Sequence, residues 1–304
     1  ELLFWGSQLL HLLPHQLQPL QQQLQSAAQA VNSLQQQATE KAATLQVPAP
    51  QNREEALSLA RLLEMAAAQP TLKEEAIFES AWLDSQKEIE TFLEAGQKLE
   101  SLHDAYDPQF LPQAWQWDVI PIRAELLLNG EKWYRFVVPS YNKAVKTLQG
   151  ISQAPLPKSN TEKLKLVDLL LEAQSLNLII QESQFLGQQL FGNSWGQSGD
   201  WQRKIEVHHF LVQVHKGIRE GIISKSFINY LPKGDAKLAL QYHQQLLQLL
   251  QVHGSTIQAT VTALQLNEGM LFSGSTLLLQ TFHQQEALLQ KWASRIPEIH
   301  QVIA

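Results

Sequence analysis

Two stretches of this chain set lysine and arginine among aromatic side chains, and that combination is the chemistry with which a protein holds nucleic acid. Cations neutralise phosphates and flat rings stack on bases. Between 131 and 165 stand Lys132, Arg135, Lys143, Lys146, Lys158, Lys163 and Lys165 against Glu131 and Glu162, with Trp133, Tyr134 and Tyr141 among them. Between 201 and 237 seven basic residues face three acidic ones, in company with Phe227 and Tyr230. The contact set expected from this pattern is Lys143, Lys146, Arg203, Lys204, Lys216 and Arg219, with Trp133 and Tyr134 as stacking groups. A plain helical surface lying beside an acidic arm would use the same residues.

Other chemistry is thinner. Metal-binding helices bring two histidines to one face at i and i+4, or His and Glu at i and i+3. His208 and His215 are two turns apart, and with His209, His243 and His253 they read as polar helix-face residues. The run from Arg53 to Asp107 holds 13 acidic residues against 5 basic ones. A glycosidase-like carboxylate pair would need two of them to converge in a cleft, whereas a solvated helix face explains them without that demand. The Gly-dense loop from Phe191 to Trp201 lacks the order of a phosphate cradle, and helix instead of strand precedes it. It reads as a helix-to-helix turn with Trp195 and Trp201 in the core.

The elements that must position these groups are helices. The 304 residues include only 14 Gly and 13 Pro, while Leu, Gln, Ala and Glu dominate. Leu17, Leu20, Leu24, Ala27, Val31, Leu34 and Ala38 recur at alternating threes and fours, the spacing of a coiled-coil seam. The first helix is expected over about 16–46, ending at Val47-Pro-Ala-Pro50. Asn52 caps the next, with Glu54 and Glu55 in its first turn. A break at Pro70-Thr71 precedes a segment running to about Tyr106, and the arms read as a helical hairpin. From Asp107 to Gly150 prolines and aromatics mark a junction of short helices. A helix over 162–190 should bury Leu164, Val167, Leu170, Leu171, Leu178 and Phe185. Leu247, Leu250, Gly254, Ile257, Val261 and Leu264 make a second seam, which faces the first or joins it as a third helix.

The net charge of −6 argues against nonspecific binding of the whole surface to DNA or an acidic membrane. Zero Cys excludes disulfides and thiolate chemistry and fits a reducing, cytoplasmic setting. The apolar opening Leu2–Leu13 is short of the roughly 20 residues that span a bilayer, so no membrane is expected. Glu1 in place of Met reads as a piece of a longer protein.

The order of elements resembles the helical insertion of large bacterial superfamily 1 helicases, in which a coiled-coil stalk and a helical bundle split the ATPase domain. The matching pieces are Glu55-Ala-Leu-Ser-Leu-Ala-Arg-Leu-Leu63, Trp82, Phe110, Trp117-Asp118, Trp133-Tyr-Arg-Phe136, Pro139-Ser-Tyr-Asn-Lys-Ala-Val-Lys146, Leu190-Phe-Gly192, Trp195-Gly196 and Asp200-Trp201. They span about residues 55 to 220. The resemblance implies that ATP hydrolysis belongs to flanking sequence, since no Walker loop or arginine finger stands here, and it assigns no catalytic residue and no cofactor.

The expectation is therefore an all-α protein: a long antiparallel coiled-coil hairpin on an aromatic-rich helical bundle. Its parts are an arm over 1–106, a junction over 107–232 and returning helices over 233–304. Its role is that of a non-catalytic accessory region of a DNA or RNA helicase-like protein, with nucleic acid, flanking helicase domains or another protein as partner. The alternative is a coiled-coil tethering protein that binds a second chain.

Overall fold

The computed structural model describes residues 14–196 and 199–264, together with Gly269, Leu271, Phe272, Leu279, Gln280, His283, Gln284 and Ala287. The apolar opening Leu2–Leu13 and the side chains of Leu17 and Leu264 lie outside the described residues. Among those described, the chain is all-helical: eleven α-helices, short 3-10 turns, and no strand beyond one isolated bridge between Phe110 and Ser152. We number the helices α1 (Pro14–Thr44), α2 (Arg53–Ala67), α3 (Ala81–Asp84), α4 (Gln86–Tyr106), α5 (Ile120–Asn129), α6 (Pro139–Gly150), α7 (Asn160–Glu182), α8 (Gln184–Phe191), α9 (Trp201–Arg219), α10 (Phe227–Tyr230) and α11 (Ala236–Leu264). The chain divides into two compact units, one made of 1–69 with 221–304 and the other of 70–220. The divisions fall at Gln69 and Glu220 rather than at 106 and 232, so the segment from Pro70 to Tyr106 belongs with the bundle.

In the first unit, α1 buries Leu24, Ala27, Val31, Leu34 and Ala38 along the expected stripe. It ends in a Schellman motif: Val47 N–H reaches the Ala42 carbonyl at 3.0 Å, Gln46 N–H reaches that of Ala43 at 3.1 Å, and Gln46 takes a positive φ of 58°. Asn52 then caps α2, its side chain accepting from Glu55 N–H at 2.9 Å while Glu55 Oε2 accepts from Gln51 N–H at 2.7 Å.

The expected hairpin of α1 on α2 does not form. Both helices pack on α11 instead. Thr260 donates to the Gln23 carbonyl near one end of α1, and Lys41 Nζ stands 5.0 Å over the Tyr242 ring near the other. Residue numbers fall along one helix as they rise along the other, so α1 and α11 are antiparallel. His243 Nδ1 donates to the Ala60 carbonyl at 2.8 Å and Gln69 Nε2 to the Gly234 carbonyl at 3.3 Å, while Gly254 lies against the Arg53 guanidinium. α2 is thus antiparallel to α11 as well, and parallel to α1. The reason is the connection: the Pro48 and Pro50 rings withhold two N–H donors, and the non-helical segment carries the chain back along the helix it has just left. The inner face of α11 runs through Leu246, Leu250, Gly254, Ile257 and Thr260, and Leu247 is exposed, one position out of the expected register.

In the second unit, α4 packs on α7 and α9, and α5 packs on α6 and α7. An aromatic cluster fills one core. Phe92 meets Trp195 edge-on at 4.9 Å, Trp82 meets Phe191 at 5.2 Å, and Trp195 meets Trp201 at 5.6 Å. Two glycines make room for it: a Cβ on Gly96 would fall 2.3 Å from the Trp201 ring, and one on Gly187 would fall 2.3 Å from that of Trp195. A second core gathers Phe110, Ile122, Leu126, Tyr141, Leu148 and Val167. The helix expected over 162–190 breaks at Ser183. Restarting there shifts the phase of α8, and Phe185, expected inside, is 83% exposed; Leu178, also expected inside, stands before the break on the outer face of α7 and is 54% exposed.

Candidate nucleic-acid interface

The two basic stretches meet opposite fates. Along α9 the apolar stripe is Trp201, Val207, Leu211 and Val214, and Lys204 lies on it one turn after Trp201. Lys204 is fully buried, with Nζ 4.9 Å over the Trp201 ring, and burial lowers its pKa. Arg203 is bound from three sides. Its Nε donates to both oxygens of Asp200 at 3.0 Å, and Nη1 donates to the Thr71 carbonyl at 2.9 Å and to Glu75 Oε1 at 2.6 Å. Glu75 is shut away from water, and its other oxygen accepts from Lys73 N–H. The structure therefore commits Arg203 and Lys204 to holding the bundle. Asp200 stands at the cap position of α9, but its carboxylate serves Arg203. Lys216 and Arg219 are exposed in the last turn of α9, where cations favour the helix dipole.

Between α5 and α6 the order is reversed. Residues 129–142 are tied together by their own side chains: Arg135 Nη1 donates to the Gly130 carbonyl at 2.6 Å, Asn142 Nδ2 to the Phe136 carbonyl at 2.7 Å, and Lys132 Nζ to the Asn129 side chain at 2.9 Å. Asn160, buried at the base, donates to the Leu126 carbonyl at 3.1 Å and fills the space beside Gly130 that a Cβ would need. On this tied frame the aromatic side chains point outward. Trp133 is 89% exposed and Phe136 68%, Tyr134 meets Trp133 edge-on at 5.6 Å, and the Arg135 guanidinium lies 4.9 Å from the Phe136 ring. Lys143 and Lys146, three positions apart on α6 and so on one face, are both exposed, with Tyr141, Ala144 and Leu148 buried opposite. Of the eight expected contact residues, Trp133, Tyr134, Lys143 and Lys146 fall on or next to this loop, and Lys216 and Arg219 stand elsewhere on the same unit.

The sequence reading missed exposed aliphatic side chains on α5 and in the loop. Ile120, Leu127, Leu128 and Val137 are more than half exposed. The signal was the run Leu126-Leu127-Leu128, because a helix that buries Leu126 on one stripe turns its next two neighbours away. It also missed the Glu75–Arg203 pair, which no spacing along the chain reports.

His209 is exposed on its helix as expected, but His208, read as a polar helix-face residue, lies in the core, since it falls one position after Val207 on the buried side of α9. His215 Nε2 donates to the Ile77 carbonyl at 2.8 Å, and His208 is 1% exposed with neither ring nitrogen hydrogen-bonded. Burial pushes the His208 pKa down to about 4, against the opposing pull of Glu90, whose oxygen lies 3.9 Å away. Among the described residues no three His, Cys, Asp or Glu side chains gather to hold a metal ion, and no described helix is long and apolar enough to cross a membrane. Set against family models, characterised proteins and solved structures, the chain matches none.

Proposed function

We propose that this chain is a non-catalytic helical accessory region of a bacterial DNA or RNA helicase-like ATPase, working in the cytoplasm, and that the α5–α6 loop is where it touches nucleic acid. One observation carries the reading: a loop held by its own hydrogen bonds leaves Trp133 and Phe136 in water and leads straight into the helix whose exposed face carries Lys143 and Lys146. Exposed aromatics on a fixed frame lose little entropy on stacking, and neighbouring ammonium groups supply the phosphate attraction. In this reading α1 and α11 are the coiled-coil arm, and the bundle of α3 to α9 presents the loop. The residues quoted for the helicase resemblance, Trp133 to Phe136 and Pro139 to Lys146, are the ones that build it.

Fluorescence anisotropy of a labelled single-stranded oligonucleotide, titrated with the full chain at several salt concentrations, tests the proposal. Binding that weakens steeply with salt and is lost on changing Lys143 and Lys146 to Glu supports it. No binding at low salt removes direct contact.

A second reading rests on the aliphatic neighbours. Ile120, Leu127, Leu128 and Val137 stack poorly on bases and suit a protein surface, either a flanking helicase domain or another chain. Binding to such a partner would change little with salt and would fall on changing Leu127 and Leu128 to Ser, which separates it from the first.

A further inference from the structure

The wall formed by residues 107–117 borders, with α4 and α7, a half-open cavity of about 460 Å³. That lies within the roughly 300–1,000 Å³ range of small-molecule sites. Its apolar lining includes Leu99, Phe110 and Trp115, and its polar groups are His103, Asp107, Gln116, Gln153 and Asn177. The wall is preformed: Leu111 N–H reaches the Ile151 carbonyl at 2.9 Å, Gln153 N–H reaches that of Gln109 at 2.9 Å, and Gln153 Nε2 donates to the Phe110 carbonyl at 2.9 Å. The Trp115 indole leans on the His103 ring at 4.1 Å between centroids. His103 Nδ1 donates to Asp107 Oδ1 at 3.0 Å, which fixes the ring against the wall. The amides of Gln116 and Asn177 make no hydrogen bond to the described protein, so each carries an unused donor and an unused acceptor.

We infer that this cavity takes one unpaired nucleobase, adenine above all, with the ring against the side of Trp115 that His103 leaves open and its edge read by Asn177 and Gln116. An amide side chain matches the adjacent donor and acceptor of adenine, and aromatic faces with edge-reading amides are how splayed-out bases are bound. No lysine or arginine lines the cavity, so phosphate adds nothing here. The inference deepens the nucleic-acid reading above, but its signature differs: recognition of a base in this cavity is insensitive to salt, whereas the α5–α6 loop binds through phosphates.

The experiment is a titration of the isotope-labelled full chain with adenosine, uridine and ribose 5-phosphate, followed by NMR at the Trp115 indole and the side-chain amides of Gln116 and Asn177. Expected are saturable shifts with adenosine, weaker ones with uridine and none with ribose 5-phosphate, changing little from roughly 50 to 500 mM salt. Asn177→Leu should weaken adenosine binding roughly tenfold. Gln116→Leu, at an exposed position, gives the same readout should the first variant not fold. Absence of adenosine shifts at those resonances while oligonucleotide still binds the chain overturns the cavity and leaves the loop. Adenosine binding without salt-dependent oligonucleotide binding sustains the cavity and removes the loop. Equal shifts from p-cresol, a tyrosine side-chain mimic, overturn the base reading in favour of an aromatic peptide side chain.

Discussion

The start of α9 and the loop between α5 and α6 are composed alike, tryptophan beside lysine and arginine, and the bundle uses them in opposite ways. In α9, Trp201 and Lys204 face inward, and Arg203 joins the buried Glu75 to Asp200. In the loop, Arg135 and Asn142 donate to backbone carbonyls, Lys132 donates to the Asn129 side chain, and Trp133, Tyr134 and Phe136 are left in water. Composition, then, says that cations and rings are neighbours but not whether they serve the core or a ligand. What decides is whether the residue lies on the apolar stripe of a helix and whether a buried carboxylate is waiting for it.

The contrast can be broken first from the inside. Arg203→Met strands the Glu75 carboxylate in the core and should cost about 3–5 kcal/mol of stability, read by urea denaturation. A cost comparable to that of a surface change would mean that the pair is not holding the bundle. His208 belongs to the same interior, and its lowered pKa gives a sign to the pH dependence. The unfolded chain takes up a proton on this residue as pH falls through about 6.5, and the folded chain does so only near 4. Stability from His208 is therefore full above the first value and is lost progressively between the two, by about 3 kcal/mol in total. Thermal melts of the wild type and His208→Leu across that window should diverge, with the variant flatter. Gly96→Ala drives a methyl into the Trp201 ring and should cost about 1–3 kcal/mol, since the indole is wedged among Trp195 and Lys204.

From the outside the same comparison sharpens in affinity rather than stability. Trp133→Ala should change stability by less than about 0.5 kcal/mol, yet weaken single-strand binding by about 1–3 kcal/mol. The smallest effect expected is in salt dependence: Lys143→Ala should lower the slope of log affinity against log salt by roughly 0.7, one phosphate contact fewer.

Much of the fold was legible in the sequence because helix ends and stripes are local. The α1 stripe and the Asn52 cap both follow from spacing and capping chemistry. The course of the chain after α1 was not, because prolines mark an end of helix without saying in which direction the next one runs. The one-residue error at Leu247 has a similar cause: adjacent leucines at 246 and 247 satisfy the same pattern, and only packing chooses between them. Of the contact set, Lys204 could have been withdrawn from sequence, since it falls three residues after Trp201 and seven before Leu211 on the apolar stripe. Arg203 could not, because its partner Glu75 is distant in the chain.

Lysine acetylation read by mass spectrometry, with and without a saturating single-stranded oligonucleotide, tests most directly the claim that the α5–α6 loop and not α9 is the recognition surface. Lys143 and Lys146 should react readily in the free protein and become protected by the oligonucleotide, while Lys204 stays unmodified until the chain unfolds. Unchanged reactivity of Lys143 and Lys146 at saturation, or ready modification of Lys204 in the native protein, would contradict the account.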